Sequence, residues 1–213
     1  MEILFLPVLL ALLTSSVAYG IAYTRTHDRY IAGMAVQRYA IWYAPLILLM
    51  LWPVFSLRVG HSGTQYIQFD NVPHDLFFGL CAGALLGHAG LTFANWVSRR
   101  YPGYANNNQR NIIDMIGLIL ITPVVEEVLF RGFGFEMSSP LGLAYGVLIP
   151  SLAFALWRMN PYLTAPAFLF GLVASGLYLY TQSLFAPIVA HMISNFAYWR
   201  WSTAHLSVAR SEQ

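Results

Sequence analysis

Two adjacent carboxylates and one arginine stand in PVVEEVLFRG, a stretch that is otherwise apolar. Glu127 and Arg131 are four residues apart, so on a helix they share a face and can form an ion pair. Glu126 is turned about 100° away from Glu127 and shares that arginine less easily. The spacing therefore predicts a structural Glu127–Arg131 pair and leaves Glu126 over. The other interpretation is that both glutamates belong to one structural salt-bridge network between helices.

Glu126 has the chemistry of a general base if it faces a dry pocket. Desolvation disfavours a charged carboxylate, so a buried glutamate takes a proton from water more readily than an exposed one. An ionisable side chain at membrane depth must also be paired, neutral or in contact with water, because placing it there costs about 2.5–3.5 kcal/mol. We therefore consider Glu126 a candidate for activating water.

A second polar pair lies in APIVAHMISNFAYW. His191 and Asn195 are four residues apart and share one helical face among apolar neighbours. Together they could hold the oxyanion of a tetrahedral intermediate. They could equally be a hydrogen-bonding pair that holds a helix bundle together.

The elements that must position these residues are long and apolar. Only 9% of the 213 residues are charged, against roughly 25% in soluble domains. The apolar residues form runs of about the length that spans a bilayer. These runs are Ile3–Ala22, Tyr39–Leu57, Leu76–Val97, Ile112–Phe135, Leu141–Trp157, Thr164–Tyr180 and Leu184–Trp201. The sequence predicts an all-α fold, a polytopic membrane helix bundle of about seven transmembrane helices, with residues 1–213 as a single integral membrane domain.

The depth of the two polar pairs can be estimated from the turns that end their runs. At about 1.5 Å per residue, Glu126 lies roughly 18 Å and His191 roughly 10 Å from its own turn. Both distances fall within a hydrocarbon core of about 30 Å. We expect the two side chains to face one cavity near the middle of the membrane.

The basic residues are all arginines, and most of them follow the first, third and seventh runs. By the positive-inside rule, this places the N-terminus outside and the C-terminus in the cytoplasm. Charge that is explained by topology and lipid headgroups gives no indication of a nucleic-acid partner. The lone cysteine, Cys81, has small neighbours, so we expect it to be a buried small hydrophobic residue.

Three segments of the chain resemble the motifs of one known family. EEVLFRG is similar to the EExxxR motif, and HMISN, with the preceding PIVA, to the HxxxN motif, of the CAAX protease and bacteriocin-processing (CPBP, or Abi) family of glutamic intramembrane proteases. SLAFALWRM, between them, resembles the family's FxxxH motif, with Phe154 in place. The resemblance covers about residues 111–200 and keeps the order and spacing of the motifs. It suggests a prokaryotic plasma membrane as the location.

The resemblance also implies a role for each matching residue. Glu126 would be the general base, and Glu127 with Arg131 the supporting ion pair. His191 and Asn195 would stabilise the oxyanion or orient the substrate.

The family's FxxxH histidine is replaced here by Arg158. Arginine stays protonated at neutral pH, and by pairing with Glu126 it would make that carboxylate a weaker base. Arg158 could instead polarise the substrate carbonyl or bind a carboxylate at the cleavage site, with Glu126 and His191 handling the water. His88, on the third run, could supply the missing group. Arg158 could also serve only as a topology anchor near the cytoplasmic end of its run.

The sequence therefore predicts an intramembrane endopeptidase that hydrolyses a peptide bond in or near a membrane-associated or lipidated segment. Its partners would be the bilayer and a membrane-anchored or lipidated peptide or protein. We expect no cofactor and no metal ion, because catalytic zinc usually has more nitrogen ligands and the two arginines would oppose a cation.

Other function classes remain open. A catalytically inactive relative could bind membrane segments as a regulator or immunity-type protein. A serine protease could use the VASG segment, Val173 to Gly176, with His191 on the next helix. A transporter could use the buried carboxylates as a proton relay.

Overall fold

The computed structural model describes residues 6–29, 31–33, 35–36, 45–46, 49, 71–100 and 112–211. That part of the chain is helical and contains no strand. The predicted run Tyr39–Leu57 lies almost entirely outside the described residues, so it stays a prediction. Within the described residues, the other six predicted runs fall on helices of the structure.

The described helices are connected by short turns after residue 112. They are α1 (Leu6–Thr26), α2 (Val72–Arg100), α3 (a continuous helical stretch over 112–138), α4 (Leu143–Trp157), α5 (Pro161–Thr181) and α6 (Phe185–Ser211). A short 3-10 turn, Ser139–Leu141, joins α3 to α4.

Three of these helices, α1, α2 and α5, are long and apolar enough to cross a membrane, and α4 is a shorter apolar helix. Large apolar side chains also point away from the protein, among them Leu85, which is 73% exposed, and Leu169, which is 60% exposed. An apolar outer surface of this kind is stable in lipid, where helices satisfy their own backbone groups. The predicted all-α membrane helix bundle is confirmed.

Helix α3 differs from the single regular helix predicted for Ile112–Phe135. It begins as an α-helix, Ile112–Ile116, and widens into a π-helical segment, Gly117–Ile121. The α-helical Thr122–Glu127 follows, then a second π segment, Val128–Gly134, and a last α-helical turn, Phe135–Ser138. π segments inside α-helices occur frequently at functional sites. Here they lie on both sides of the turn that carries the two glutamates.

The turn between α4 and α5 fixes the position of Arg158, which is the C-cap residue of α4. Met159 follows with a positive φ of 45°, and Asn160 caps α5 by accepting a hydrogen bond of 3.0 Å from the Tyr162 N–H. Pro161 takes the first helical position, where its missing N–H costs nothing. The reversal of the chain leaves Arg158 at the C-terminal end of α4.

Helices α2 and α6 pack closely because glycines line their contact. A Cβ added at Gly79 would lie 2.7 Å from the Ala186 carbonyl oxygen, and one at Gly83 would lie 2.8 Å from that of Ala190. Small residues at every fourth position allow helix backbones to approach each other in this way. Cys81, expected to be buried, is exposed instead, because the glycines occupy the contact face of α2.

Candidate active site

Five ionisable side chains meet in the interior of the bundle. Glu126, Glu127 and Arg131 come from α3, Arg158 from the end of α4 and His191 from α6. The two glutamates, Arg131 and His191 are buried, with at most 2% of each residue exposed. The Arg158 side chain is 13% exposed. We refer to these five residues as the polar cluster.

Glu127 holds two partners in the cluster. Its Oε1 lies 3.2 Å from Arg131 Nη1, which donates a hydrogen bond, and its Oε2 lies 3.1 Å from the same nitrogen without hydrogen-bond geometry. Oε1 also lies 2.7 Å from His191 Nδ1. The ion pair predicted from the spacing is thus present, and it extends to a histidine on another helix.

Glu126 forms no ion pair with Arg131, as the spacing predicts, but it is surrounded by other donors, among them Arg158. Its Oε1 accepts a hydrogen bond of 3.0 Å from Trp157 Nε1. Its Oε2 accepts one of 2.8 Å from Arg158 Nη2, and His191 Nε2 lies 3.5 Å away. Helix α4 supplies two of these groups, Trp157 and Arg158, from adjacent residues. Its C-terminal end points at the α-helical turn between the two π segments.

The contacts of His191 favour one tautomer of its ring. Nδ1 faces the carboxylate of Glu127 and must carry a hydrogen atom to bond it. Nε2 lies 3.2 Å from Arg158 Nη2, which can only donate, so Nε2 must accept. This geometry fits a neutral imidazole protonated on Nδ1. Since tautomers are inferred from hydrogen-bond partners, these two contacts are the basis of the assignment.

The cluster is balanced in charge. Two carboxylates oppose two guanidinium groups across the cluster. Buried charges need partners of this kind, because taking an ion out of water costs several kcal/mol. Phe154 adds a further contact, since its ring centroid lies 4.6 Å from the guanidinium carbons of both Arg131 and Arg158. Phe154, the phenylalanine of the FxxxH-like segment, therefore packs against both cations.

Asn195 lies one helical turn from the cluster. Its Nδ2 donates a hydrogen bond of 2.8 Å to the backbone carbonyl of Leu118, in the first π segment. The amide therefore ties α6 to α3 and does not contact either glutamate in the described structure. An amide nitrogen carries two hydrogen atoms, so one donor remains for another acceptor.

A cavity of about 440 Å³ opens beside the cluster. Its walls come from α2, α5 and α6, and they are mainly apolar. Lining residues include Leu86, Phe93, Leu118, Phe154, Arg158, Leu163, Phe170, His191, Asn195 and Tyr198. Neither glutamate lines the cavity, so Arg158 and His191 stand between it and the carboxylates. His88 is exposed on α2 and is not among the lining residues, although its neighbours Gly87 and Ala89 are.

Two residues that hold the site together were not predicted from the sequence. Trp157 donates a hydrogen bond to Glu126. A buried tryptophan needs an acceptor for its indole N–H, so a tryptophan in an apolar run could have been identified as a partner of a buried glutamate. Phe170 packs on His191 with ring centroids 4.6 Å apart, and it stands in an apolar run with no such signal.

No group of three His, Cys, Asp or Glu side chains in the described residues is arranged to hold a metal ion. The carboxylates and the imidazole of the cluster already contact the two guanidinium groups or each other. The expectation that no cofactor is needed stays a prediction.

One comparison with known proteins gave a match. Residues 108–197 match the family described as Rce1-like, type II CAAX prenyl endopeptidase Rce1-like. The matched residues contain α3, α4, α5 and the part of α6 that carries His191 and Asn195. No curated protein and no solved structure matches the chain. The resemblance predicted from the three motifs is confirmed.

Proposed function

Since residues 108–197 form an Rce1-like region, matching the type II CAAX prenyl endopeptidases, we propose that this integral membrane protein is an intramembrane endopeptidase of the glutamic type. The observation that carries the proposal is the position of Glu126. Its carboxylate lies behind Arg158 and His191 at the polar end of an apolar cavity. The substrate would be a peptide segment that is anchored in the membrane or lipidated, since the cavity offers mostly apolar walls.

The first step in this mechanism is the release of Glu126 by Arg158. The ion pair of 2.8 Å keeps Glu126 Oε2 bonded to Arg158, so a water molecule cannot bond this oxygen from the same place while the pair lasts. A substrate carbonyl oxygen in the cavity accepts a hydrogen bond from Arg158, which then leaves Glu126. Once Arg158 has left, a water molecule can take the place of its Nη2, which lies 2.8 Å from Glu126 Oε2 and 3.2 Å from His191 Nε2. His191 thus holds the water beside Glu126.

The chemical step follows from this arrangement. Glu126 takes a proton from the water as its oxygen bonds to the carbonyl carbon, which gives a tetrahedral intermediate. The negative oxygen is stabilised by Arg158 and by the remaining N–H of Asn195. The C–N bond then breaks, and the proton on Glu126 passes to the departing amine. Glu127, held by Arg131, keeps the His191 ring in place through Nδ1.

The experiment compares peptide processing by membranes that contain equal amounts of wild type, Glu126→Gln or Arg158→His. A reporter peptide with a farnesylated CAAX-type C-terminus is offered, and new peptide termini are also mapped across the membrane proteome. Glu136→Gln is the matched control, because it makes the same chemical change on the last turn of α3, outside the cluster. We expect Glu126→Gln to abolish processing and Glu136→Gln to leave it unchanged.

The same ion pair supports a second candidate, a catalytically inactive relative that binds membrane segments. Arg158 cannot take a proton from water, and in the described structure it forms an ion pair with Glu126. If no terminus differs between wild type and Glu126→Gln, catalysis is excluded and this candidate remains. Processing that appears only in Arg158→His would assign the loss of activity to the arginine.

A further inference from the structure

The cavity next to the polar cluster has apolar walls and one cationic end. Arg158 is the charged residue among those described as lining it, and Leu86, Phe93, Leu163 and Phe170 form apolar walls. The two glutamates that balance the arginines lie behind Arg158 and His191. The positive end of an otherwise neutral cluster therefore faces the cavity. Coulomb energy falls with distance, so an anion in the cavity interacts most strongly with this nearest charge.

Arg158 also has donors to spare. One nitrogen, Nη2, makes the contacts to both Glu126 Oε2 and His191 Nε2. Nη1 and Nε have no hydrogen-bond partner among the described residues, and the side chain keeps an exposure of 13%. A ligand can therefore bond Arg158 at Nη1 without displacing Glu126.

We infer that the cavity binds a single-chain amphiphile with a carboxylate head, a free long-chain carboxylic acid. Its carboxylate accepts a hydrogen bond from Arg158 Nη1, and its chain lies along the apolar walls. The size fits, because pockets for small ligands have volumes of about 300–1,000 Å³. A head group with one negative charge matches a single guanidinium group whose Nη1 and Nε have no partner among the described residues. A cationic head group would be repelled by the guanidinium group.

This binding breaks no bond and does not depend on the proposed proteolysis. A long-chain acid that occupies the cavity would compete with a membrane-bound substrate for the same walls. The test is therefore made on binding alone, so its result and the result of the proteolysis experiment are separate.

The test uses wild-type protein in lipid vesicles with a photoactivatable palmitic acid. Crosslinking is measured against rising concentrations of unlabelled palmitate, methyl palmitate or hexadecanol, which share the chain and differ in the head group. Because a charge-assisted hydrogen bond is stronger than a neutral one, palmitate should compete at concentrations at least about ten times lower than the ester and the alcohol. The crosslinked peptides should map to the cavity walls on α2, α5 and α6.

Two variants locate the site. In Gly90→Trp, the new side chain grows from a lining residue whose Cβ would meet nothing within 4 Å, so it should block crosslinking. Gly176→Trp is the control, because Gly176 is equally open and does not line the cavity. Arg158→Lys keeps the cation and should keep the preference for the acid, which Arg158→Gln should lose.

Equal competition by palmitate, methyl palmitate and hexadecanol in the wild type would overturn the proposal, and this comparison needs no folded variant. Crosslinks scattered over the lipid-facing surface, with no effect of Gly90→Trp, would overturn it as well, because they would show adventitious partitioning only.

Discussion

At the scale of single residues, Glu126 is defined by the donors around it. Trp157 bonds one carboxylate oxygen, and Arg158 bonds the other, with His191 Nε2 at 3.5 Å. Both oxygens of this carboxylate are thus engaged, and the contact of Oε2 depends on Arg158. The reactivity of Glu126 is therefore controlled by whether Arg158 stays or leaves.

The Glu126–Arg158 pair can be measured as a coupling energy. Removing one member of a buried ion pair costs about 3–5 kcal/mol, because the other charge stays buried without a partner. Glu126→Gln and Arg158→Gln should each lower the free energy of unfolding by about that amount. The double variant should lose less than the sum of the two. The measurement is denaturant unfolding of the purified variants in one detergent.

The control for this cycle is Glu136→Gln, which should change the free energy of unfolding by less than about 1 kcal/mol. Strictly additive losses in the double variant would contradict the coupling, since contacting residues show interaction energies of about 0.5–3 kcal/mol.

The indole of Trp157 gives a second prediction. Trp157→Phe keeps an aromatic ring and removes the N–H that bonds Glu126 at 3.0 Å. A hydrogen bond to a charged group is worth about 1.5–3 kcal/mol, so thermal unfolding should show a loss of that order. Trp96→Phe is the matched control, because Trp96 is 58% exposed on α2. Similar losses in both variants would show that the N–H has no special effect.

The residue types of the site could be predicted from the sequence, but only some of the contacts between their side chains could. The spacing of Glu127 and Arg131 predicts their pair, because both sit on one helix. The contact of Trp157 with Glu126 joins residues 31 apart, and that of His191 with Glu127 joins residues 64 apart. Such contacts depend on how the helices pack, and helical periodicity carries no information about that packing.

At the scale of the elements, the contact of α2 with α6 positions His191. A Cβ at Gly83 would lie 2.8 Å from both the Ala190 carbonyl oxygen and the Ile193 Cβ. Gly83→Ala should therefore push the helices apart and cost about 1–3 kcal/mol, as overpacking does. Because Ala190 precedes His191, the variant should also reduce any hydrolytic activity.

Gly90→Ala on the same helix is the comparison for Gly83→Ala. Its Cβ would meet nothing within 4 Å, and alanine is favoured over glycine inside a helix by about 0.5–1 kcal/mol. Thermal unfolding should show Gly90→Ala as neutral or slightly stabilised. Equal destabilisation of both variants would point to helix propensity and against close packing.

The π segments of α3 were beyond prediction from the sequence. Hydrophobic runs of this length predict a helix, but they do not distinguish hydrogen bonds to the fourth residue from bonds to the fifth. The first π segment receives a tertiary bond, from Asn195 to the Leu118 carbonyl. That contact appears only when α6 is packed against α3.

At the scale of the whole molecule, the arginine pattern predicts which side of the membrane each turn faces. In a Cys81→Ser background, Gln182→Cys lies in the turn expected outside, and Thr26→Cys at the end of α1 expected inside. Both positions are exposed in the structure. An impermeant maleimide should label Gln182→Cys in intact cells and Thr26→Cys only after permeabilisation. The reverse pattern would invert the topology.

The architecture was largely predictable because composition alone indicates it. Apolar runs of bilayer length predict helices, since only helices and closed barrels satisfy their backbone in lipid. The estimated depths predicted that Glu126 and His191 would face one cavity. Their side chains do lie 3.5 Å apart, but only His191 lines the cavity, because Arg158 and His191 stand in front of Glu126. The exposure of Cys81 was not predictable, because it depends on which face of α2 meets α6.

The separation of the charged partners along the chain has a consequence for biosynthesis. Arg131 follows Glu127 within the same helix, but Arg158 is made 32 residues after Glu126. While the ribosome is between them, the cluster residues of α3 include one carboxylate more than they have arginines, and lipid alone is a poor environment for it. We therefore expect helix α3 to stay beside the insertion machinery until α4 is complete, so that the two helices enter the bilayer together. The ion pair that holds Glu126 in the finished protein thereby also sets the order in which the protein is assembled.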